Sequence, residues 1–213
     1  MRSLLLPALA LPVIALAGCA VSDDGDQTSQ TRDVPAFTRV VNDDSVDVRL
    51  HAGTSAQPLR VRAGDKVIDD VRTEVRDGTL HVTFDHDGWG APDVKVEAWT
   101  AQLIAIDSDG SGDVQVDGVT GRAFQVTADG SADVRVRGTT DRLVVAADGS
   151  GDAKLADLAA REARVKAGGS GDVEVRADER LDVDADGSGD VRYHGTPQLS
   201  QRDDGSGDVK AAG

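Results

Sequence analysis

The chain has 213 residues, enough for one domain and a short tail, and its 38 acidic residues against 23 basic ones give a formal charge of −15. So negative a surface repels phosphate backbones and argues against nucleic-acid binding. Aromatic residues make up 3% of the chain and cysteine occurs once, which argues against an aromatic ligand platform, an internal disulfide framework and a cysteine-cluster metal site.

The N-terminus has the layout of a secretory signal. Arg2 precedes an apolar run, Leu4–Leu16, that is shorter than the roughly 20 residues needed to span a membrane. The run ends in Leu16-Ala17-Gly18-Cys19, which resembles the lipobox of bacterial lipoproteins. The resemblance implies a signal peptide at 1–18 and acylation of Cys19, which would hold the chain at a membrane. Residue 20 is Ala and not Asp, which resembles the signal that sorts bacterial lipoproteins to the outer membrane. The alternative to the whole lipoprotein interpretation is an ordinary secretory signal with a chance cysteine.

Two further segments follow the cleavage point. Residues 19–33 begin with the lipidated cysteine and are polar, so we expect a disordered tether. Residues 34–213 are expected to form one domain, with a strand-rich N-terminal part at 34–106 and a repetitive part at 107–213.

Alternating apolar and polar residues predict strands in the N-terminal part. Val46–Leu50 and Leu80–Phe84 are clear cases. Asp77-Gly78 lies between two such runs and predicts a hairpin. In the repetitive part, only Leu155–Val165 has a composition that could hold a short helix.

The repetitive part carries the motif Asp-Gly-Ser-Gly-Asp-Val six times with small variations. Its first glycine stands at positions 110, 130, 149, 169, 187 and 205, so the repeat is 18–20 residues long. Each unit has two short strands with apolar residues at fixed positions, joined by the Gly-Ser-Gly turn, and a second turn is predicted near Asp117-Gly118, Arg137-Gly138 and His194-Gly195. One such unit cannot bury its apolar face alone. We therefore predict an all-β fold, a β-solenoid like a single-stranded β-helix with 18–20-residue rungs. The alternative is an antiparallel β-sandwich.

The repeats resemble a known family. Together with Phe37, Asp77-Gly78-Thr79-Leu80 and Leu103-Ile104-Ala105-Ile106 before them, they are similar to the putative auto-transporter adhesin head GIN domain family over nearly all of Phe37–Gly213. The resemblance implies a β-helix-like fold on a cell-envelope protein and an adhesive role. It supplies no established catalytic residues.

Stacked repeats would also stack their aspartates. One column contains Asp113, Asp133, Asp152, Asp172, Asp190 and Asp208, and a second contains Asp109, Asp129, Asp148, Asp186 and Asp204. Like charges about 4.8 Å apart repel, so something must offset the repulsion. One hypothesis is local turn chemistry: Asp accepts backbone N–H groups, Gly supplies positive φ, and Arg135, Lys154, Arg192 and Lys210 balance the charge. The other is Ca²⁺ bound by the first column; no other cofactor is expected.

Other candidate sites carry less signal. His81, Asp85, His86 and Asp87 could approximate a metal cluster but are expected to be surface residues, and Trp89 and Trp99 are expected in the core or a cap. Because each serine of the repeat recurs as a turn residue, none stands out as a nucleophile, and we expect no enzyme.

The sequence thus predicts a lipid-anchored protein of the bacterial cell envelope, with the outer membrane favoured, carrying a non-catalytic repetitive β domain for binding or adhesion. Two alternatives remain open: a structural envelope protein whose copies stack end to end, and a Ca²⁺-binding solenoid. Expected partners are the membrane, through Cys19, and a protein or other envelope macromolecule, with a second copy of the chain as a further option.

Overall fold

The computed structural model describes residues 24–85 and 92–212. The predicted signal peptide, Cys19, His86, Asp87 and Trp89 lie outside these ranges. Within them, no helix is long and apolar enough to cross a membrane.

Strands dominate the described chain. The N-terminal part contains β1 (Gln27–Arg32), β2 (Arg39–Asn42), β3 (Asp47–Ala52), β4 (Leu59–Gly64), a 3-10 turn (Ile68–Asp70), β5 (Val71–Arg76), β6 (Thr79–Phe84), β7 (Lys95–Thr100) and β8 (Ala105–Ser108). The repetitive part contains β9 (Val114–Ala128), β10 (Val134–Ala147), β11 (Ala153–Ala167), β12 (Val173–Ala185), β13 (Val191–His194), β14 (Gln198–Asp203) and β15 (Val209–Ala211).

Parallel stacking of the long strands builds a solenoid of about five turns. Strands β9, β10, β11 and β12 lie side by side in parallel register. The first half of β9 also pairs with β3 and its second half with β8, while β12 pairs with β13 through its first half and with β14 through its second. The predicted solenoid is confirmed, and the antiparallel sandwich is wrong because successive repeats pair in parallel.

The register places like residues over one another in the core. One column is Val114, Val134, Ala153, Val173 and Val191, and all five side chains are at most 2% exposed. Another is Val126, Val145, Val165 and Val183. Fully burying a valine contributes about 1.5–3 kcal/mol relative to leaving it in water, so each added rung stabilises its neighbour.

Two local predictions in the repetitive part need correction. Segment Leu155–Val165 lies inside strand β11 and is not helical, because parallel pairing with β10 on one side and β12 on the other overrides its helix-forming composition. The second predicted turn is a bend within the continuous strands β9 and β10, where Gly118 and Gly138 have positive φ beside shifts in register, whereas at Gly195 the strand breaks between β13 and β14 as predicted.

The N-terminal part confirms one prediction and corrects another. Strands β5 and β6 form the predicted hairpin, with Asp77 and Gly78 both at positive φ. Part of the expected tether is strand β1, which pairs antiparallel with β4. The edge of β4 offers backbone partners to any extended segment, and the Arg32 guanidinium donates to the carbonyl oxygens of Val71 (2.6 Å) and Ile68 (3.0 Å). Burial lowers the pKa of Arg32.

The last described rung carries a polar version of the core pattern. Gln201 pairs with Val183 and Asp203 pairs with Ala185, and both polar residues are exposed. Solenoids need terminal repeats with a polar outer face, since a further apolar rung would otherwise stack on them. Gln201 and Asp203 therefore make this rung a cap.

Candidate binding face: a carboxylate ladder and a basic trough

The Gly-Ser-Gly turns stack at one edge of the solenoid, and their glycines are required by the spacing between rungs. A Cβ on Gly169 would lie 1.9 Å from the carbonyl oxygen of Gly149 in the preceding rung. The described glycines with positive φ lie elsewhere, at positions 25, 53, 78, 118, 121, 138 and 195. The prediction that these turns need positive φ was therefore wrong.

The first aspartate column forms a continuous hydrogen-bonded series, here called the carboxylate ladder. In each step the Oδ1 atom of one aspartate accepts the backbone N–H of the next, at 2.9–3.1 Å. The members are Asp47, Asp113, Asp133, Asp152, Asp172, Asp190 and Asp208. The ladder satisfies one amide in each turn, which is the turn chemistry that the sequence predicted.

Cations on the neighbouring strand positions neutralise the second carboxylate oxygens. Lys154 Nζ lies 2.6 Å from Asp133 Oδ2, and the Arg192 guanidinium donates to Asp172 Oδ2 (2.7 Å) and Asp190 Oδ2 (2.8 Å). Arg135 contacts Asp133 and Lys210 contacts Asp190, at 2.9 Å and 2.8 Å. The predicted charge-balancing role of these four basic residues is confirmed.

These contacts lower the pKa of three ladder aspartates, Asp133, Asp172 and Asp190. The hydrogen bond from Lys210, with the amide of Asp208, lowers the pKa of Asp190 to about 2. The amide of Asp190, aided by Arg192, lowers the pKa of Asp172. Burial opposes ionisation of Asp133, but hydrogen bonds from Lys154 and the Asp152 amide outweigh it and lower that pKa as well.

Calcium binding by the ladder stays a prediction. The Oδ1 atoms of Asp133, Asp172 and Asp190 already accept amides and their Oδ2 atoms already contact cations, so Ca²⁺ would have to displace protein donors. Over residues 24–85 and 92–212, no group of three or more His, Cys, Asp or Glu side chains has the geometry to hold a metal ion.

The other predicted sites are placed apart from the ladder. The second aspartate column is interrupted because Gly168 stands where the other repeats have an aspartate. Asp148, a member of this column, contacts Lys166 at 3.3 Å. Of the weak His/Asp cluster only His81 and Asp85 are described, and Asp85 pairs with Arg72 at 3.5 Å.

Trp99 lies half-buried on the outer face of strand β7, not in the core. Its ring stacks on His51 with centroids 5.2 Å apart, and the Arg60 guanidinium lies 5.5 Å from its centroid. Glu97 ties both neighbours together, at 3.0 Å from His51 and 2.9 Å from Arg60. His51 and Arg60 come from β3 and β4, the strands on either side of β7, so the indole is engaged by residues of both neighbouring strands.

A cavity of about 310 Å³, here called the basic trough, crosses the outer face beside this cluster. Five cations line it, together with three carboxylates and one amide. The cations are Arg49, Arg60, Arg62, Lys95 and Arg135, and the others are Asp47, Glu97, Asp113 and Gln115. Its floor includes Val48, Val96 and Val114, which are at most 2% exposed.

Sequence reasoning missed Asp47 and the trough. Asp47 begins the ladder, since its Oδ1 accepts the Asp113 amide at 3.1 Å. The signal was present: Asp43-Asp44-Ser45-Val46-Asp47-Val48 shares the Asp-x-Ser-x-Asp-Val pattern of the repeats and lies in register with Asp109–Val114. The trough had no such signal, because its cations come from strands distant in sequence.

Comparison with known proteins agrees with the fold. A crystal structure of a putative adhesin from Bacteroides fragilis has a TM-score of 0.74 and 20% identity, over 88% of this chain and 97% of the other. A putative adhesin from Parabacteroides distasonis has a TM-score of 0.54 and 21% identity, over 89% and 98%. A putative lipid binding protein from the same species has a TM-score of 0.51 and 22% identity, over 89% and 98%.

No curated protein shows significant sequence similarity to this chain. The family model described as putative auto-transporter adhesin, head GIN domain, matches residues 36–197, which is most of the chain. The stacked ladder, the parallel register and this match agree with one another, and the chain belongs to the putative auto-transporter adhesin head GIN domain family.

Proposed function

We propose that this protein is a lipid-anchored, non-catalytic binding module of the adhesin type in the bacterial cell envelope, at the outer membrane. One observation carries the proposal: a rigid outer face, built from in-register charged rows, runs the length of the solenoid. A regular face of this kind suits contact with an extended partner. The family and its structural neighbours, described as putative adhesins, support the same role.

The anchor would hold one end of the solenoid near the membrane. Only residues 20–23 separate Cys19 from Asp24, whose carbonyl oxygen accepts the Lys66 amide at 3.2 Å. Five residue steps span at most about 18 Å, so Asp24, at the start of the edge formed by β1 and β4, would lie within that distance of Cys19. The later rungs would then project away from the membrane.

Two experiments test the proposal. Metabolic labelling with a fatty acid should mark the wild-type protein and not Cys19→Ser, and labelling of both would contradict the anchor. A strain lacking the protein should bind less well to surfaces or to other cells, and complementation should restore binding. A deletion strain that adheres normally under every condition would contradict the adhesin-type role.

End-to-end stacking of copies is not favoured, because Gln201 and Asp203 replace apolar residues in two core columns of the last described rung. An added apolar rung would have to desolvate both side chains. We expect the purified protein to sediment as a monomer.

A further inference from the structure

The trough differs in charge from the rest of the molecule. It combines five cations with three carboxylates, while the whole chain carries −15. The reason lies in the strand order β4-β7-β3: in the row that continues the carboxylate ladder, Lys95 pairs with Asp47, and Arg62 pairs with Lys95. Cations thus occupy ladder positions at the N-terminal end of the face.

Two trough cations are weakly engaged. The nearest carboxylate to Arg49 is that of Asp117, at 3.7 Å, and the Arg49 side chain is 53% exposed. Arg62 is exposed, and it forms no ion pair within the described part of the chain. By contrast, Arg192 is held by two ladder carboxylates. Arg49 and Arg62 therefore have guanidinium donors available to a ligand.

We infer that the basic trough binds an acidic polysaccharide whose carboxylate or sulfate groups are separated by neutral sugar units. This inference rests on the proposed function, because it names the partner class of the same face. A guanidinium pairs with a planar carboxylate through two parallel hydrogen bonds. Gln115 and Asp47, also in the lining, offer groups that bond sugar hydroxyls.

The shape of the trough fits an extended chain. Its lining residues come from β4, β7, β3, β9 and β10, which are five successive strands of the sheet. Four strand spacings of about 4.8 Å make roughly 19 Å, the length of several linked sugar rings.

Other partner classes fit less well. An extended peptide would need a free strand edge, but each of the five lining strands is paired on both sides. A lipid chain would need exposed apolar lining, and the only exposed large hydrophobic side chain among the described residues is Val144, outside the trough. The overall negative charge repels densely charged polymers, which selects for a sparsely charged ligand.

Calorimetric titration of the purified mature protein with a hyaluronan oligosaccharide, in which each glucuronate alternates with a neutral N-acetylglucosamine, tests the inference. Wild type should bind, and Arg49→Ala/Arg62→Ala should weaken binding by about tenfold or more, because each substitution removes a charge-assisted pair with a ligand carboxylate. The matched control is Arg39→Ala/Arg122→Ala, which removes two exposed arginines outside the trough and should leave the affinity unchanged. Binding should also weaken with added salt.

The remaining probes separate the alternatives. Neutral dextran, polyglutamate peptide and vesicles containing phosphatidylglycerol should bind at least tenfold more weakly than the hyaluronan oligosaccharide or a κ-carrageenan oligosaccharide, which carries one sulfate on every second sugar. Equal or tighter binding of peptide or vesicles would overturn the inference, as would equal losses in the two double variants. If neither acidic glycan binds while the deletion strain still loses adhesion, this inference fails and the proposed function stands.

Discussion

The repetitive part and the N-terminal part of the domain differ in how the charged residues beside the stacked turns are balanced. In the repetitive part, ladder aspartates bond the amides of the next rung, and Arg135, Lys154, Arg192 and Lys210 balance their charge. In the N-terminal part, the same row ends in Lys95, which pairs with Asp93 at 2.7 Å, and in Arg62, which has no ion-pair partner among the described residues. The comparison indicates that pairing each ladder carboxylate with a neighbouring cation stabilises the fold, and that a charged side chain without such a partner is available to bind a ligand.

The largest expected effect concerns the turn glycines, where the chain contains its own control. Gly169→Ala should cost about 3 kcal/mol, because its Cβ meets the backbone carbonyl of Gly149 and the rungs cannot separate. A Cβ on Gly171 would lie almost as close to the carbonyl oxygen of Gly151, at 2.0 Å, but Gly171→Ala should cost less, about 1 kcal/mol, because Ala132 shows that a rung can accommodate alanine at this position. Urea unfolding measures both, and equal losses would show that the accommodation seen at Ala132 does not extend to Gly171.

The second largest effect is expected for substitutions of the ladder aspartates, which separate the contribution of the amide hydrogen bond from that of the ion pair. Asp172→Ala should cost about 1–3 kcal/mol, because the Asp190 amide loses its acceptor. Asp172→Asn keeps an acceptor oxygen and loses only the half-exposed ion pair with Arg192, worth about 0.2–1 kcal/mol. Asp208→Ala should change stability by less than about 0.5 kcal/mol, since that side chain is 79% exposed. Thermal melts rank the three variants, and any other order would contradict the ladder.

The ladder also predicts acid sensitivity of the repetitive part. Folded-state pKa values of Asp133, Asp172 and Asp190 lie below the unfolded value near 4, so their stabilisation is present above pH 4 and lost as pH falls towards the Asp190 pKa of about 2. Asp107 acts in the opposite sense, because burial and nearby aspartates raise its pKa. The melting temperature should therefore fall less steeply between pH 6 and pH 2 in Asp172→Asn than in wild type. An unchanged dependence of melting temperature on pH would contradict the assignment of acid sensitivity to the ladder aspartates.

The smallest expected effect is that of calcium. Because ladder carboxylates are bonded to amides and cations, millimolar Ca²⁺ should leave the melting temperature unchanged, and a chelator should do the same. A rise that the chelator abolishes would assign the aspartate columns to metal binding and revive the Ca²⁺-binding alternative.

Sequence reasoning reached the repetitive part more easily than the N-terminal part. A fixed turn motif with apolar residues at constant offsets specifies the stacking, and it led directly to the columns of Val114 and Val126. Helix-forming residues in β11 misled the local prediction, because the neighbouring strands decide its conformation.

The trough could not be found in this way. Arg49 and Arg62 lie on the consecutive strands β3 and β4, but Lys95 comes much later in the chain, and the three become neighbours only because β7 inserts between β3 and β4 in the strand order β4-β7-β3. Strand β1 was missed for the same reason, since the edge of β4 and the carbonyl groups around Arg32 hold a segment that is polar throughout.

The most direct test of the account compares two double variants in the same two assays. Arg49→Ala/Arg62→Ala removes weakly engaged trough cations, and Lys154→Ala/Arg192→Ala removes cations bonded to the ladder. We predict that the first variant loses affinity for the hyaluronan oligosaccharide by about tenfold with an unchanged melting temperature, and that the second melts lower and binds as wild type does. The reverse pattern, or equal losses in both assays, would contradict the division between a self-neutralised ladder and a binding trough.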